Sequence, residues 1–368
     1  ALLSAIADEK RRSPHSMPGW YYTDPKIWEL EKQSVFVSGW VAVGHVSEIS
    51  RPGEYITITI GDEPVLVVRC RDGDIRALSN VCRHRGMQLL SGKGRTSVIS
   101  CPYHAWAYDL EGCLVKAPYM EQVDGFQREC HALPQYSVDE WKGFLFVNIS
   151  GDAKALTPKM SALEAPLKNY ELENRHGVEI WVEDWKTNWK SLIENFMEGY
   201  HLSVTHVKTL DHITPTRLCE KLSSGCAFTA YRSNYHPKAP QRTPFPQNMT
   251  SQEQTSSILF SIYPNFLITV GPNCAVFLIL QPKKVDEVSI KMGVLAQAGA
   301  DELPETREYI DLAHAFNAED RAVLEAIQKT NLSSTRTVAP LAPDALEGTI
   351  WDFTCFIAHN LAPLYPKS

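Results

Sequence analysis

Two short segments, VCRHRG at residues 81–86 and CPYHAW at 101–106, set the tightest limit on how this chain folds. Each supplies one cysteine and one histidine: Cys82 with His84, then Cys101 with His104. The chain around them reads as short strands. Tyr55–Ile60 alternates, Gly61 and Asp62 turn, and Pro64–Arg69 continues. Arg71–Asp74 makes another turn before Ile75–Leu78, and Gly143–Asn148 closes the series. From Trp40 to about Ile149 the pattern predicts a small antiparallel β domain, with the two segments as loops of it.

Thiolates suit iron–sulfur clusters or zinc, and imidazoles suit iron and zinc alike. A zinc finger carries its cysteines on one knuckle and its histidines on a helix. Here each loop gives one of each, which allots two cysteines to one metal and two histidines to another. That is the ligand division of a Rieske [2Fe–2S] centre. With Gly86 and Pro102 in place, the segment resembles the Rieske family. A mononuclear Cys2His2 zinc site in the same β domain is the alternative.

A second cluster of donors lies at ENFMEGYHLSVTH, residues 194–206. Two histidines and a carboxylate are the donor set of non-haem Fe(II) sites that leave positions open for oxygen. A helix is expected from about Lys190 to His201, with Glu198 and His201 on one face. His206 would then stand about 140° away from His201, so the helix must end or bulge near Ser203 if both bind one metal. A Rieske domain followed by this motif resembles the catalytic (alpha) subunit of Rieske non-haem iron oxygenases, the aromatic-ring-hydroxylating and choline- and carnitine-monooxygenase-like family, over nearly the whole chain. The resemblance implies that His201 and His206 hold the mononuclear iron and that Glu198 links His201 to a cluster histidine. It implies a third ligand from AEDRAVLEAIQ, assigned to Asp320 with neighbouring Glu319 as the alternative. It also implies a head-to-tail homotrimer, in which electrons run from His104 through Glu198 to His201 of the adjoining subunit.

The expected fold class is α+β. Residues 1–39 form a helical lead-in packing on the catalytic domain, where Asp24 and Pro25 read as N-cap and first helical residue. Residues 40–155 form the Rieske domain, and residues 156–368 a helix-grip (START/Bet v1-like) domain of antiparallel sheet and helices. Ser150 to about Pro166 reads as a linker. Helices are expected over Pro304–Gln328 and Pro343–Leu361, and strands near residues 178–183, 258–263, 266–270, 275–281 and 289–295.

Composition narrows the partners. Lys and Arg total 36 against 43 Asp and Glu, a net charge of -7, which argues against nucleic acid and anionic membranes. No apolar run is long enough to span a membrane. Acids and arginines within the first twenty residues interrupt any signal peptide, so a cytoplasmic location is expected. Cys70, Cys219, Cys226, Cys274 and Cys355 are expected in the core.

No dinucleotide-binding glycine motif appears. Electrons are therefore expected from a separate NAD(P)H-dependent flavin reductase, directly or through a ferredoxin. With O2 as cosubstrate, the expected reaction is hydroxylation or oxidative N- or O-dealkylation of a small aromatic or alkylamine substrate. The alternatives are cis-dihydroxylation of an aromatic ring and, in another class, a Rieske electron-transfer protein with a non-catalytic C-terminal domain. The segment from about Leu202 to Pro282 is expected to line the substrate pocket, with two or three of its many aromatics facing the cavity. Lys208, Arg217, Arg232 and Arg242 are the cations that could meet a substrate carboxylate.

Overall fold

The computed structural model describes residues 2–8 and 13–364. Glu9–Arg12, part of the charged interruption noted above, lie outside the described residues. The chain divides into two compact units, one of Phe36–Ala155 and one of Ala1–Val35 together with Leu156–Ser368.

The first unit is built on a seven-stranded sheet. Its order is Val41–His45, Phe144–Asn148, Gln135–Trp141, Ile75–Ser79, Glu63–Arg69, Glu54–Ile60 and Lys93–Arg95, all paired antiparallel. Alternation in Tyr55–Ile60 follows from one face being buried: Ile56 and Ile60 point inward while Thr59 is exposed. A small three-stranded sheet of Ile99–Ser100, Ala107–Tyr108 and Leu114–Lys116 carries the second Cys/His segment at a hairpin tip. The apolar core of this unit includes Leu66, Leu78, Trp106 and Tyr108, and it reaches Cys82 and Cys101 themselves.

The second unit is another seven-stranded antiparallel sheet, ordered Arg175–Trp185, Glu287–Gln297, Cys274–Lys284, Phe266–Val270, Ser256–Ile262, Phe228–Asn234 and Cys219–Lys221. The helix Pro304–Thr330 packs on its Arg175–Trp185 side, and Asp344–Leu361 on the opposite edge. An antiparallel sheet gripped by long helices is the α+β arrangement expected. Asp24 caps the helix Pro25–Glu31 by accepting from the Lys26 amide at 2.9 Å. From that helix Glu31 reaches Lys190 at 2.6 Å and accepts from the Trp189 indole at 2.8 Å, and both charged side chains are fully buried. The charges are tolerable only because each satisfies the other.

Three expectations need correction. The stretch read as a linker folds into a turn at Thr157–Met160 and a helix over Ser161–Leu167, because Met160, Leu163 and Leu167 recur at helical spacing and are buried. Cys226 is exposed and Cys355 only half-buried, so neither belongs to the core. The helix expected to run to His201 ends at Phe196.

Candidate metal centres

The two Cys/His segments are twins. In the first, an antiparallel bridge of Val81 with Gln88 brackets the loop, and in the second Ser100 pairs with Ala107. The Cys82 amide donates to the Met87 carbonyl at 2.8 Å, and the Gly86 amide to the Cys82 carbonyl at 3.0 Å. The Cys101 amide likewise donates to the Trp106 carbonyl at 2.7 Å, and the Ala105 amide to the Cys101 carbonyl at 3.1 Å. Both loops need a left-handed residue at the same place, Gly86 with φ 73° and Ala105 with φ 56°. Glycine adopts this readily and alanine at a cost.

These loops bury Cys82 and Cys101 and expose His84 and His104. The imidazoles meet edge to face with centroids 4.8 Å apart, and His84 stacks on Trp106 at 4.9 Å. The Tyr108 hydroxyl lies 3.4 Å from Cys82 Sγ and accepts from the Arg83 amide at 3.0 Å. Among the described residues, the group whose His, Cys or carboxylate donor atoms all lie within 4.8 Å is elsewhere. The four loop residues are therefore not drawn to one ion, as mononuclear zinc would require. Inner sulfurs and outer imidazoles fit a two-iron cluster.

The compact donor group is His201, His206 and Asp320. Asn188 caps the helix Trp189–Phe196 through its side chain. That helix stops where Glu198 turns its carboxylate back onto the Tyr200 and His201 amides. Gly199 is required here, since a Cβ would lie 2.5 Å from Cys219 Sγ. A short helix, Leu202–Thr205, then brings His206 round to face His201. Their Nε2 atoms are 3.1 Å apart, and Asp320 Oδ1 lies 3.6 Å from the first and 3.1 Å from the second.

Both imidazoles are aimed from behind. Glu198 accepts from His201 Nδ1, and Glu319 Oε2 from His206 Nδ1 at 2.8 Å while also accepting from the Thr209 hydroxyl at 2.6 Å. Carboxylates at Nδ1 fix the tautomer that leaves Nε2 as a metal ligand. Burial pulls the His206 pKa down, but hydrogen bonding and charge from Asp320 and Glu319 outweigh it and hold the ring above its ordinary value. Two imidazole nitrogens and a carboxylate converging with such anionic support fit a divalent iron. Asp320 joins the donor set, and Glu319 stands behind a histidine instead. The adjacent acids at 319 and 320 were the only sequence signal of that arrangement.

His201, His206 and Asp320 open onto a cavity enclosing about 700 Å³ of empty space, part of it continuous with solvent. Its apolar lining comes from Phe196, Leu202, Tyr231, Tyr235, Tyr309 and Phe316. The segment expected to line it supplies Tyr231 and Tyr235, whereas Phe228, Phe260, Phe266 and Phe277 are ordinary core. Phe196, Tyr309 and Phe316 come from helices on either side of that segment and were not anticipated.

Residues 39–136 match the Rieske [2Fe-2S] domain, and residues 172–362, just over half the chain, match the ring hydroxylating alpha subunit (catalytic domain). The chain belongs to the ring-hydroxylating alpha subunit family. Such subunits hold a Rieske cluster and a mononuclear iron, and the two donor sets described above fit them. The chain is 36% identical over 219 residues to a glycine betaine monooxygenase oxygenase subunit of Chromohalobacter salexigens, covering 58% of this chain and 48% of that one. It thus spans about half the length of that relative. It is 29% identical over 321 residues to a carnitine monooxygenase oxygenase subunit of Escherichia coli, covering 85% and 83%. The fold is similar to that of the quaternary ammonium Rieske monooxygenase CntA, with TM-score 0.84, 24% identity, and coverage of 97% of this chain and 98% of that one. Among the described residues no helix is long and apolar enough to cross a membrane.

Proposed function

We propose that this family member is the terminal oxygenase component of a multicomponent system, and that it hydroxylates a small organic substrate or removes an N- or O-alkyl group by hydroxylating the attached carbon. The observation that carries this reading is the His201, His206 and Asp320 donor group opening onto an aromatic-lined cavity. A pure electron-transfer protein has no use for such an arrangement. The similarity to glycine betaine and carnitine monooxygenase subunits supports monooxygenation.

The balance is one O2, two electrons and two protons for each C–H converted to C–OH, with one water released. A carbon hydroxylated beside nitrogen or oxygen then leaves as aldehyde: its C–N or C–O bond breaks, the hydroxyl proton passes to the departing atom, and the amine or alcohol is freed. An iron held by His201, His206 and Asp320 would supply the oxygen activation, and a cluster held by Cys82, His84, Cys101 and His104 would supply its electrons. The chain's own part is to aim the imidazoles through Glu198 and Glu319 and to hold substrate in the cavity.

The electrons come from a separate NAD(P)H-dependent reductase, directly or through a ferredoxin. Residues 40–155 do the electron work and 156–368 the oxygen chemistry, and the lead-in as far as Val35 belongs with the latter. The assembly is a head-to-tail homotrimer in which Glu198 links His201 to a neighbour's His104. None of the nine cysteines is in a disulfide, which suits the reducing cytoplasm.

The deciding measurement couples the iron-loaded full-length protein to a surrogate reductase and follows O2 uptake and products across candidate amines, ethers and arenes. Formaldehyde or a single new hydroxyl is expected. A cis-diol would replace the reading with ring dihydroxylation, and no uptake with any substrate would remove the oxygenase assignment.

A further inference from the structure

Of the four cations that sequence offered for a substrate carboxylate, Lys208 and Arg217 are exposed, and Arg232 pairs with Glu220 at 2.9 Å. Arg242 alone lines the cavity. Its guanidinium lies 5.0 Å from the centre of the Tyr309 ring, and its Nε is buried without a hydrogen-bond partner. Among the described residues no carboxylate pairs with it. A half-buried guanidinium with an idle donor faces a cavity wall, and charges so placed are ordinarily paired.

A second arginine reinforces that wall. Arg175 is 2% exposed and donates from Nη2 to the carbonyls of Tyr170, Gly271 and Pro272 at 2.9, 2.9 and 3.1 Å. Its Nε and Nη1 have no partner, and no acid neutralises it among the described residues. Both arginines act on Tyr235 and Tyr309, stabilising the ionised form of each against burial. The wall at Tyr235 and Tyr309 therefore has two guanidinium groups beside it, and among the described residues no carboxylate pairs with either. The acids that open onto or back the cavity, Asp320, Glu319 and Glu198, are engaged with the two histidines.

We infer that the substrate carries a carboxylate and that Arg242 is the residue that binds it, holding the oxidisable carbon towards His201, His206 and Asp320. This rests on the oxygenase reading above and narrows its substrate class to acids or zwitterions. The spacing adds a length requirement. Tyr309, under Arg242, and Asp320 lie on one helix eleven residues apart, about 16 Å along its axis. A substrate that meets both ends must place several bonds between its carboxylate and the carbon oxidised. The tyrosine and phenylalanine lining between them accommodates either an aromatic ring or an alkylammonium group.

The test is calorimetric binding of two probe series to the iron-loaded full-length protein. One is the straight-chain ω-(trimethylammonio)alkanoates and the other the ω-phenylalkanoates, each over a range of chain lengths and each with its methyl ester. Acids are expected to bind at least about tenfold more tightly than their esters, the worth of a charge-assisted hydrogen bond, with affinity rising along the series. Arg242→Met, which keeps the stem's bulk, should erase that difference, and Arg242→Lys should keep part of it. Iron content and thermal melts of each variant establish that it is folded. If Arg242→Met does not fold, the acid-to-ester ratio of the parent protein decides alone.

Esters binding as well as acids, a discriminating Arg242→Met variant, or no acid of either series binding would each overturn the inference. Acids that bind through Arg242 yet are never oxidised would instead remove the oxygenase reading and leave the subsite standing. Esters oxidised as readily as acids would do the reverse.

Discussion

The two donor sets are built on opposite plans. Cys82, His84, Cys101 and His104 sit on two hairpin tips whose shape is set by backbone hydrogen bonds, and the imidazoles are exposed. His201, His206 and Asp320 come from a turn, the end of a short helix and a long helix far along the chain, and His206 is 1% exposed. There the aim is set by side chains, through Glu198 and Glu319. A centre shaped by backbone tolerates exchange of most surrounding side chains. A centre shaped by carboxylates is disarmed by single substitutions, one donor at a time.

The largest expected effect separates the two plans outright. Replacing His201 and His206 together by alanine should abolish substrate oxidation and remove the mononuclear iron, while the visible spectrum of the cluster stays. Loss of both centres' signatures would mean that the centres are not independent in construction.

The next effect comes from a carboxyl on the helix that leads to the second centre. Glu194, on the helix leading to Glu198, accepts from the Tyr22 hydroxyl at 2.7 Å, and its other oxygen has no partner. Burial pushes its pKa from the ordinary 4.5 up to about 7, against the pull of the Tyr22 hydrogen bond and of Lys190 and Arg336. Below 4.5 folded and unfolded chains are both protonated. Between 4.5 and 7 the folded chain holds the extra proton, so stability falls as pH rises, by about 3 kcal/mol over the full window. Melting temperatures of Glu194→Gln should therefore match the parent near pH 5 and exceed it near pH 8. Parallel profiles would show that the carboxyl is not protonated in the folded protein.

Glu319 gives a smaller effect. Glu319→Ala removes the acceptor behind His206 and should weaken iron retention about 10- to 100-fold against a chelator, with the cluster unchanged. If iron is held as before, the ring is aimed by its packing instead.

The same contrast explains what could be read from sequence. The hairpin loops were legible because their ligands are close in the chain and the strands around them alternate. His201 and His206 were legible as a pair, but the end of their helix at Phe196 was not, since it depends on Glu198 folding back and on Gly199 meeting Cys219. Asp320 came only through family resemblance, because helical phase alone does not say which of two adjacent acids reaches Nε2 and which Nδ1. Arg242 was one of four equal candidates until the sheet and the helix Pro304–Thr330 decided which faced the cavity. Contacts between distant elements carry no local periodicity, so they are the part a sequence leaves open.

The smallest effect sharpens the claim that the two hairpins are one design used twice. Gly86 and Ala105 hold equivalent left-handed positions, yet only one is glycine. A Cβ at Gly86 would meet nothing within 4 Å, so Gly86→Ala should cost only the conformational penalty, about 1 kcal/mol. Ala105→Gly should recover a similar amount or less, because glycine also loosens the unfolded chain. Combined, the two changes should nearly cancel in a thermal melt, with the cluster spectrum intact throughout. A loss of the cluster in Gly86→Ala would mean that open space at that position is needed for something the Ala105 loop does not provide, and the loops would be alike in hydrogen bonding only.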